Sequence, residues 1–177
     1  MSKLTHAVQQ FLDLMNWEDE IRVDEERGTS TMATGVTIDA QPCELYVETN
    51  ESVDVIAVFL YAPFRVRPEK FVEACVLANE INVRSRIGHL EVLPQDGRVR
   101  YVQAVDFEDC EPSGTAVQNM VQAGIASFRR RLGQLAEVAM TPRTAAEILA
   151  SSEGASQAGT GQGAAVALAA DDIPEAL

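Results

Sequence analysis

Cysteine and histidine are scarce in this sequence, and their scarcity excludes most metal and disulfide chemistry. The three cysteines are far apart and form no Cys-x-x-Cys pair, so we expect reduced thiols and neither a disulfide framework nor a thiolate metal site. The two histidines, His6 and His89, lack the spacing of a metal site or of a catalytic acid–base pair. We therefore predict no metal and no cofactor.

Long apolar runs are also lacking. No stretch approaches the roughly 20 apolar residues that span a bilayer, and Gln9, Gln10 and Asp13 interrupt the apolar residues at the start of the chain. The composition, 46% apolar and 6% aromatic, is that of a globular protein. We predict a cytoplasmic protein with no membrane partner.

Basic residues are few, since 14 Lys and Arg stand against 27 Asp and Glu and give a net charge of -13 at pH 7. An acidic surface repels phosphate backbones, so no nucleic-acid partner is predicted. The basic run 129–131 falls in the second half of a predicted helix, where we expect it to complement the helix dipole.

Catalytic motifs are missing as well. The sequence has no Gly-x-Ser-x-Gly elbow and no glycine-rich phosphate loop next to a strand. The acidic clusters 18–20 and 108–111 are typical of solvated turns. We predict that the chain is not an enzyme, and an enzyme with an unrecognised carboxylate pair is the alternative.

Periodicity and turn residues predict an α+β fold with an antiparallel sheet, in the order helix, strands, helix, hairpin, helix. Residues 1–152 form the predicted domain, and 153–177 form a flexible tail that is too polar and small to bury a core. The strand at 53–62 is apolar almost throughout and predicts a central strand covered on both faces. The predicted elements are a helix capped by Ser2 that runs to Trp17, strands at 20–26, 29–38, 44–48 and 53–62, a helix from Pro68 to Val83, a hairpin of 87–93 and 98–107 around Asp96-Gly97, a helix from Thr115 to Val138 capped by Ser113, and a short helix from Pro142 to Ser152.

The middle helix is apolar on two sides, which requires two burial partners. One face holds Phe71, Ala74, Cys75, Ala78 and Ile81 and should pack on the sheet. A second stripe lies about 120° around the helix, at about 100° per residue. The protein's own terminal helices, the seam of a homodimer or a client protein could cover this stripe, which consists of Val72, Val76 and Val83.

The tail ends in an acidic and apolar peptide of a type that docks in a groove. It contains Asp171, Asp172, Ile173 and Pro174 after an apolar run. This peptide resembles the acidic tip of bacterial single-strand-DNA-binding proteins, except that Glu175-Ala176-Leu177 stands where that tip ends in Phe. A scaffold that acts through this tail is therefore a second alternative.

Four motifs in order resemble the YbjN family, whose members are described as bacterial sensory-transduction regulators. The resemblance extends over about residues 4–140. The motifs are Ala78-Asn79-Glu80-Ile81-Asn82, Ile87-Gly88-His89-Leu90-Glu91-Val92, Asp96-Gly97-Arg98-Val99-Arg100-Tyr101 and Val117-Gln118-Asn119-Met120-Val121. The resemblance implies the fold of type III secretion chaperones, and it makes the stripe Val72, Val76, Val83 a candidate homodimer seam by analogy. We interpret the chain as a non-catalytic, protein-binding regulator or chaperone-like adaptor that binds a protein partner.

Overall fold

The computed structural model describes the backbone of residues 1–158 and the side chains of residues 1–152. Its helices and strands follow the predicted order, and four strands precede the middle helix. In chain order they are α1 (Lys3–Met15), β1 (Ile21–Asp24), β2 (Thr29–Ile38), β3 (Gln41–Asn50), β4 (Val55–Arg65), a 3₁₀ turn (Pro68–Lys70), α2 (Phe71–Val83), β5 (His89–Val92), β6 (Arg98–Asp106), α3 (Gly114–Met140) and α4 (Ala145–Ala158).

Local signals set the ends of these helices. The hydroxyl of Ser2 accepts a hydrogen bond from the Thr5 amide, and the hydroxyl of Ser113 accepts one from the Ala116 amide, which confirms both predicted N-caps. The last helix runs to Ala158, six residues beyond the predicted end of the domain at Ser152.

The six strands form one antiparallel sheet in the order β1-β2-β3-β4-β6-β5. Its hairpins turn at residues with positive φ, among them Gly97 (φ 71°) in the predicted Asp-Gly turn and the pair Asp39 (φ 49°) and Ala40 (φ 62°) between β2 and β3. Two successive positive φ angles suit the right-handed twist of a two-residue hairpin. The predicted α+β class with an antiparallel sheet is confirmed.

The core lies between the sheet and the helices. Helix α3 approaches β4 and β6 at Gly124, where a Cβ atom would lie 2.9 Å from the ring of Tyr101 and 3.1 Å from Leu60. A larger residue would therefore push the helix off the sheet. The largest fully buried side chains are Leu4, Phe11, Leu12, Met32, Ile38, Leu45, Ile56, Leu60, Leu77, Tyr101, Phe128 and Leu135.

One prediction about the sheet is wrong. Strand β4 is central, but only one of its faces is covered by the described elements, because Ile56, Val58 and Leu60 are buried while Phe59 and Tyr61 on the opposite face are half-buried. The apolar run of β4 predicted two covered faces because the open face also carries apolar side chains. Arginine side chains, and not a helix, lie over the rings on that face. The guanidinium of Arg98 lies 4.4 Å from the centroid of the Tyr61 ring, and that of Arg100 lies 4.8 Å from the centroid of Phe59.

Candidate protein-binding surface

Helix α2 packs one side on the protein and turns another side to solvent. Its buried residues are Ala74, Leu77, Ala78 and Ile81, while Phe71 and Cys75 are half-buried. The face of α2 that was predicted to pack is therefore the face that is buried, although the prediction did not include Leu77. A helix with apolar residues on both sides must leave one apolar side exposed when only one side is packed.

The exposed side holds the three predicted valines, which we call the α2 surface: Val72, Val76 and Val83. Their side chains are 71%, 47% and 76% exposed. No helix among residues 1–152 covers them. Neighbouring exposed apolar side chains mark a candidate interaction surface.

Sequence reasoning missed one residue of this row, Asn79. It is exposed like the valines, and positions 72, 76, 79 and 83 are separated by steps of four, three and four residues. That spacing matches the a/d pattern of a helix pair, in which Asn79 would occupy a d position. The signal was present in the sequence, but a polar residue breaks a stripe that is defined by apolar residues.

Both ends of α2 are fixed to the rest of the protein. Before the helix, Lys70 is buried and donates a hydrogen bond to the carbonyl of Arg143 at 2.6 Å. In its first turn, the Glu73 carboxylate accepts a hydrogen bond from the Ala145 amide at 2.7 Å, so α2 caps the start of α4. Helix α4 is therefore held at the flank of α2 and leaves the α2 surface open.

At the other end of α2, Asn82 contacts the edge strand β5. Its carboxamide nitrogen donates to the carbonyl of Leu90 at 2.9 Å, and its carboxamide oxygen accepts from the Leu90 amide at 2.7 Å. The side chain thus makes the pair of hydrogen bonds that a neighbouring strand would make. The position of α2 relative to the sheet is fixed by the same contact.

The open face of the sheet carries a network of aromatic and charged groups. The guanidinium of Arg100 donates to the carboxylate of Glu91 at 2.6 Å and to the hydroxyl of Tyr61 at 2.9 Å. Burial raises the pKa of Glu91, but the hydrogen bonds from Arg100 and His89 outweigh burial and hold the pKa below its usual value. These groups are paired with one another, which is typical of a structural network.

The other polar residues singled out in the sequence lie apart. His89 is exposed on β5 and contacts Glu91, and the run Arg129–Arg131 ends nine residues before the end of α3. The prediction that this run complements the helix dipole is wrong, because the dipole acts within the last turn. Arg129 instead pairs with Asp39 of the β2–β3 turn at 3.4 Å.

The structure also bears on metal sites, membrane spans and the tail peptide. Within the described residues, no group of three or more His, Cys, Asp or Glu side chains is placed to hold a metal ion. None of the helices described has the length and apolarity to cross a membrane. The predicted docking peptide, Asp171, Asp172, Ile173 and Pro174, lies outside the described residues.

Several solved structures are similar to the chain. A chain of the HopA1–SchA chaperone–effector complex matches with a TM-score of 0.48 and 14% identity, over 72% of this chain and 91% of that one. A chain of the ExsC–ExsE complex matches with a TM-score of 0.40 and 10% identity, over 72% and 92%. The crystal structure of YbjN from E. coli, "a putative transcription regulator", matches with a TM-score of 0.49 and 10% identity, over 76% and 93%.

Among curated proteins, none matches the sequence significantly. One family model does, over residues 6–137, which is most of the domain. Its description is "Putative bacterial sensory transduction regulator", and it confirms the resemblance that the four motifs indicated. The chain belongs to the YbjN family.

Proposed function

We propose that this chain is a non-catalytic, protein-binding regulator or chaperone-like adaptor that assembles as a homodimer through the α2 surface. The observation that carries the proposal is the exposed row of Val72, Val76, Asn79 and Val83 with the spacing of a helix-pair seam. The description of the YbjN family supports the regulatory role.

A second copy fits this row for a reason of symmetry. A two-fold dimer brings the same patch of both copies together, so the patch must be complementary to itself. Three valines with one Asn meet that condition.

The expected affinity is modest. Full burial of a valine contributes about 1.5 kcal/mol or more, and six valines from two copies would have to exceed an association cost of at least about 4 kcal/mol. A pair of 13-residue helices is also smaller than a standard interface, so Ile87, which is 55% exposed, should contribute beyond the helix end. We expect dissociation in the micromolar range.

The carboxylate-pair alternative receives no support from the sites of the predicted acidic clusters. Asp19 is half-buried and the other five carboxylates are exposed, whereas a general acid at neutral pH needs a carboxyl whose pKa is raised, usually by burial. A scaffold that acts through the tail stays a prediction, because the tail lies outside the described residues.

The test is light scattering coupled to size exclusion over a range of concentrations. We expect the wild type to be a dimer and Val76→Glu to be a folded monomer, because a buried unpaired carboxylate opposes association. The control is Val53→Glu, which places the same charge at a valine that is 57% exposed in a turn, and it should stay a dimer. A wild type that is monomeric at all concentrations, or a Val76→Glu variant that is still a dimer, would contradict the proposal.

A further inference from the structure

The outer edge of β2 is only partly paired. Strand β1 pairs with β2 from Asp24–Thr29 to Ile21–Met32 and no further. Among residues 1–158, no strand pairs with the outer side of 33–38. We call the segment from Ala33 to Thr37 the β2 edge.

The register of the neighbouring hairpin shows which backbone groups of the β2 edge are unpaired. The amide of Glu51 donates to the carbonyl of Gly28 at 2.8 Å, and the same register continues without a shift to the pair Ile38–Gln41. In an antiparallel ladder, hydrogen-bonded pairs recur at every second residue. The even-numbered residues of β2 therefore bond to β3, and Ala33, Gly35 and Thr37 turn their N–H and C=O groups away from the sheet.

Nothing in the sequence of β2 guards this edge. Natural sheets protect exposed edges with charged side chains, proline or a covering segment, whereas 29–38 contains no charged residue and no proline. Ala33, Gly35 and Thr37 are exposed, and among residues 1–158 no strand lies beside them. A second backbone can therefore approach the edge.

The chemistry of the edge selects its occupant. Unpaired N–H and C=O groups that alternate along a strand are matched by another extended backbone. Glu20 directly precedes Ile21, the partner of Met32, so the acidic cluster 18–20 lies at one end of the edge. The ion pairs within the described part of the chain do not involve this cluster. A segment with an uncharged, β-branched centre and basic residues at one end complements both features.

We propose that the β2 edge is a strand-addition site for an extended, uncharged segment of a protein partner that carries basic residues at one end. The proposal rests on the proposed function for the class of the occupant, but it uses a surface separate from the α2 surface. It assigns partner binding to the sheet edge and self-association to the helix.

The probe is a synthetic peptide of alternating Thr and Val with two lysines at one end, added to the isotope-labelled full chain. We expect the amides of Ala33, Gly35 and Thr37 to exchange with solvent at least about tenfold more slowly when the peptide is bound, because each gains a hydrogen bond. A peptide with the same side chains but N-methylated at alternate residues should lose this effect.

Proline at position 35 tests the geometry directly. Gly35→Pro removes an outward N–H that takes no part in the ladder with β3, so the variant should keep its circular dichroism and bind the peptide about tenfold more weakly or worse. Gly35→Ala keeps the N–H and should bind like the wild type. Equal binding by the proline variant, or protection only at other amides, would overturn the proposal.

Two other occupants have distinct signatures. If the three amides are protected without peptide and a Val166→Asp, Leu168→Asp double variant exposes them, the tail occupies the edge, and the proposal is wrong. Protection that rises with protein concentration alone would assign the edge to a second copy and would equally overturn it. In the Val76→Glu variant, peptide protection should persist, so a failure of the homodimer and a failure of the strand-addition site can be told apart.

Discussion

The two sides of the six-stranded sheet end differently, because β5 is the edge strand on one side and the short strand β1 leaves the β2 edge uncovered on the other. At β5 the edge is four residues long, and the carboxamide of Asn82 occupies both outward backbone groups of Leu90. At β2 the outward groups of Ala33, Gly35 and Thr37 have no strand or carboxamide of this kind among the described residues. The β5 edge is therefore capped at Leu90 by a side chain from the neighbouring helix, while the β2 edge has no such cap among the described residues.

The difference shows that closing an edge in this fold takes a single residue on a helix that already lies beside it. The open edge at β2 is thus not a consequence of the fold as such. An unguarded edge carries a risk of aggregation, which a net charge of -13 lowers by repulsion between copies. An edge that is kept uncharged within an acidic protein is what a strand-addition site requires.

The largest expected difference between the two edges concerns the glycine beside each one. Gly88 and Gly28 both adopt left-handed φ angles, of 64° and 62°. At Gly88, before β5, a Cβ would lie 2.2 Å from the end of the Tyr101 ring, whereas at Gly28, before β2, the nearest atom is the Glu51 Cβ at 3.8 Å. We expect Gly88→Ala to lower the free energy of unfolding by about 3 kcal/mol or more and Gly28→Ala by about 1 kcal/mol, as measured by urea denaturation.

The Tyr101 ring has little freedom to move away, because it is buried and its hydroxyl donates to Gln103 at 2.9 Å. If the two alanine variants lose the same free energy of unfolding, the strain of the left-handed backbone would account for both losses. The closed edge would then be no more tightly packed than the open one.

The next largest effect is expected at Asn82 itself. Replacing Asn82 with Ala leaves the N–H and C=O of Leu90 without their partner, which should cost about 2 kcal/mol for two partly buried hydrogen bonds. Gln122→Ala, which removes an exposed carboxamide from α3, is the matched control and should cost less than about 0.5 kcal/mol. If both substitutions lower the free energy of unfolding in urea equally, water satisfies the N–H and C=O of Leu90 as well as the Asn82 carboxamide does.

Much of the fold was predictable because its signals are local. Ser2 and Ser113 are capping residues at the start of apolar periods, and Asp96-Gly97 suits a tight turn, so those elements lie within about two residues of their predicted bounds. The second strand was predicted with the bounds that the structure has, since Thr and β-branched residues fill 29–38. The second apolar stripe of α2 was predicted from helical spacing, whereas its exposure was not, because the terminal helices could have covered it.

The remaining features depend on which elements become neighbours. The open face of β4 could not be distinguished from a covered one, because the guanidinium of Arg100 that lies over Phe59 comes from a strand about 40 residues later in the chain. Likewise, the sequence shows Asn82 only as a polar residue near a helix end. Its role depends on β5, which the fold places beside it. The β2 edge is visible only from the strand order, which no local pattern encodes.

The smallest effect tests whether the open edge is stable when empty. Cys43 lies on β3 opposite Val36 of β2, is 2% exposed, and burial raises the pKa of its thiol to about 11. Because only the thiolate is nucleophilic, about one thiol in a thousand would be reactive at pH 8, and burial slows the reaction further.

We therefore expect iodoacetamide to alkylate Cys43 at least about 100-fold more slowly than the exposed Cys110, as followed by mass spectrometry of the digested protein. In urea both thiols should react alike, which controls for intrinsic reactivity. Similar rates in the native protein would mean that β2 peels away from β3. The β2 edge would then be a frayed strand, and a peptide bound there would be restoring the sheet rather than extending it.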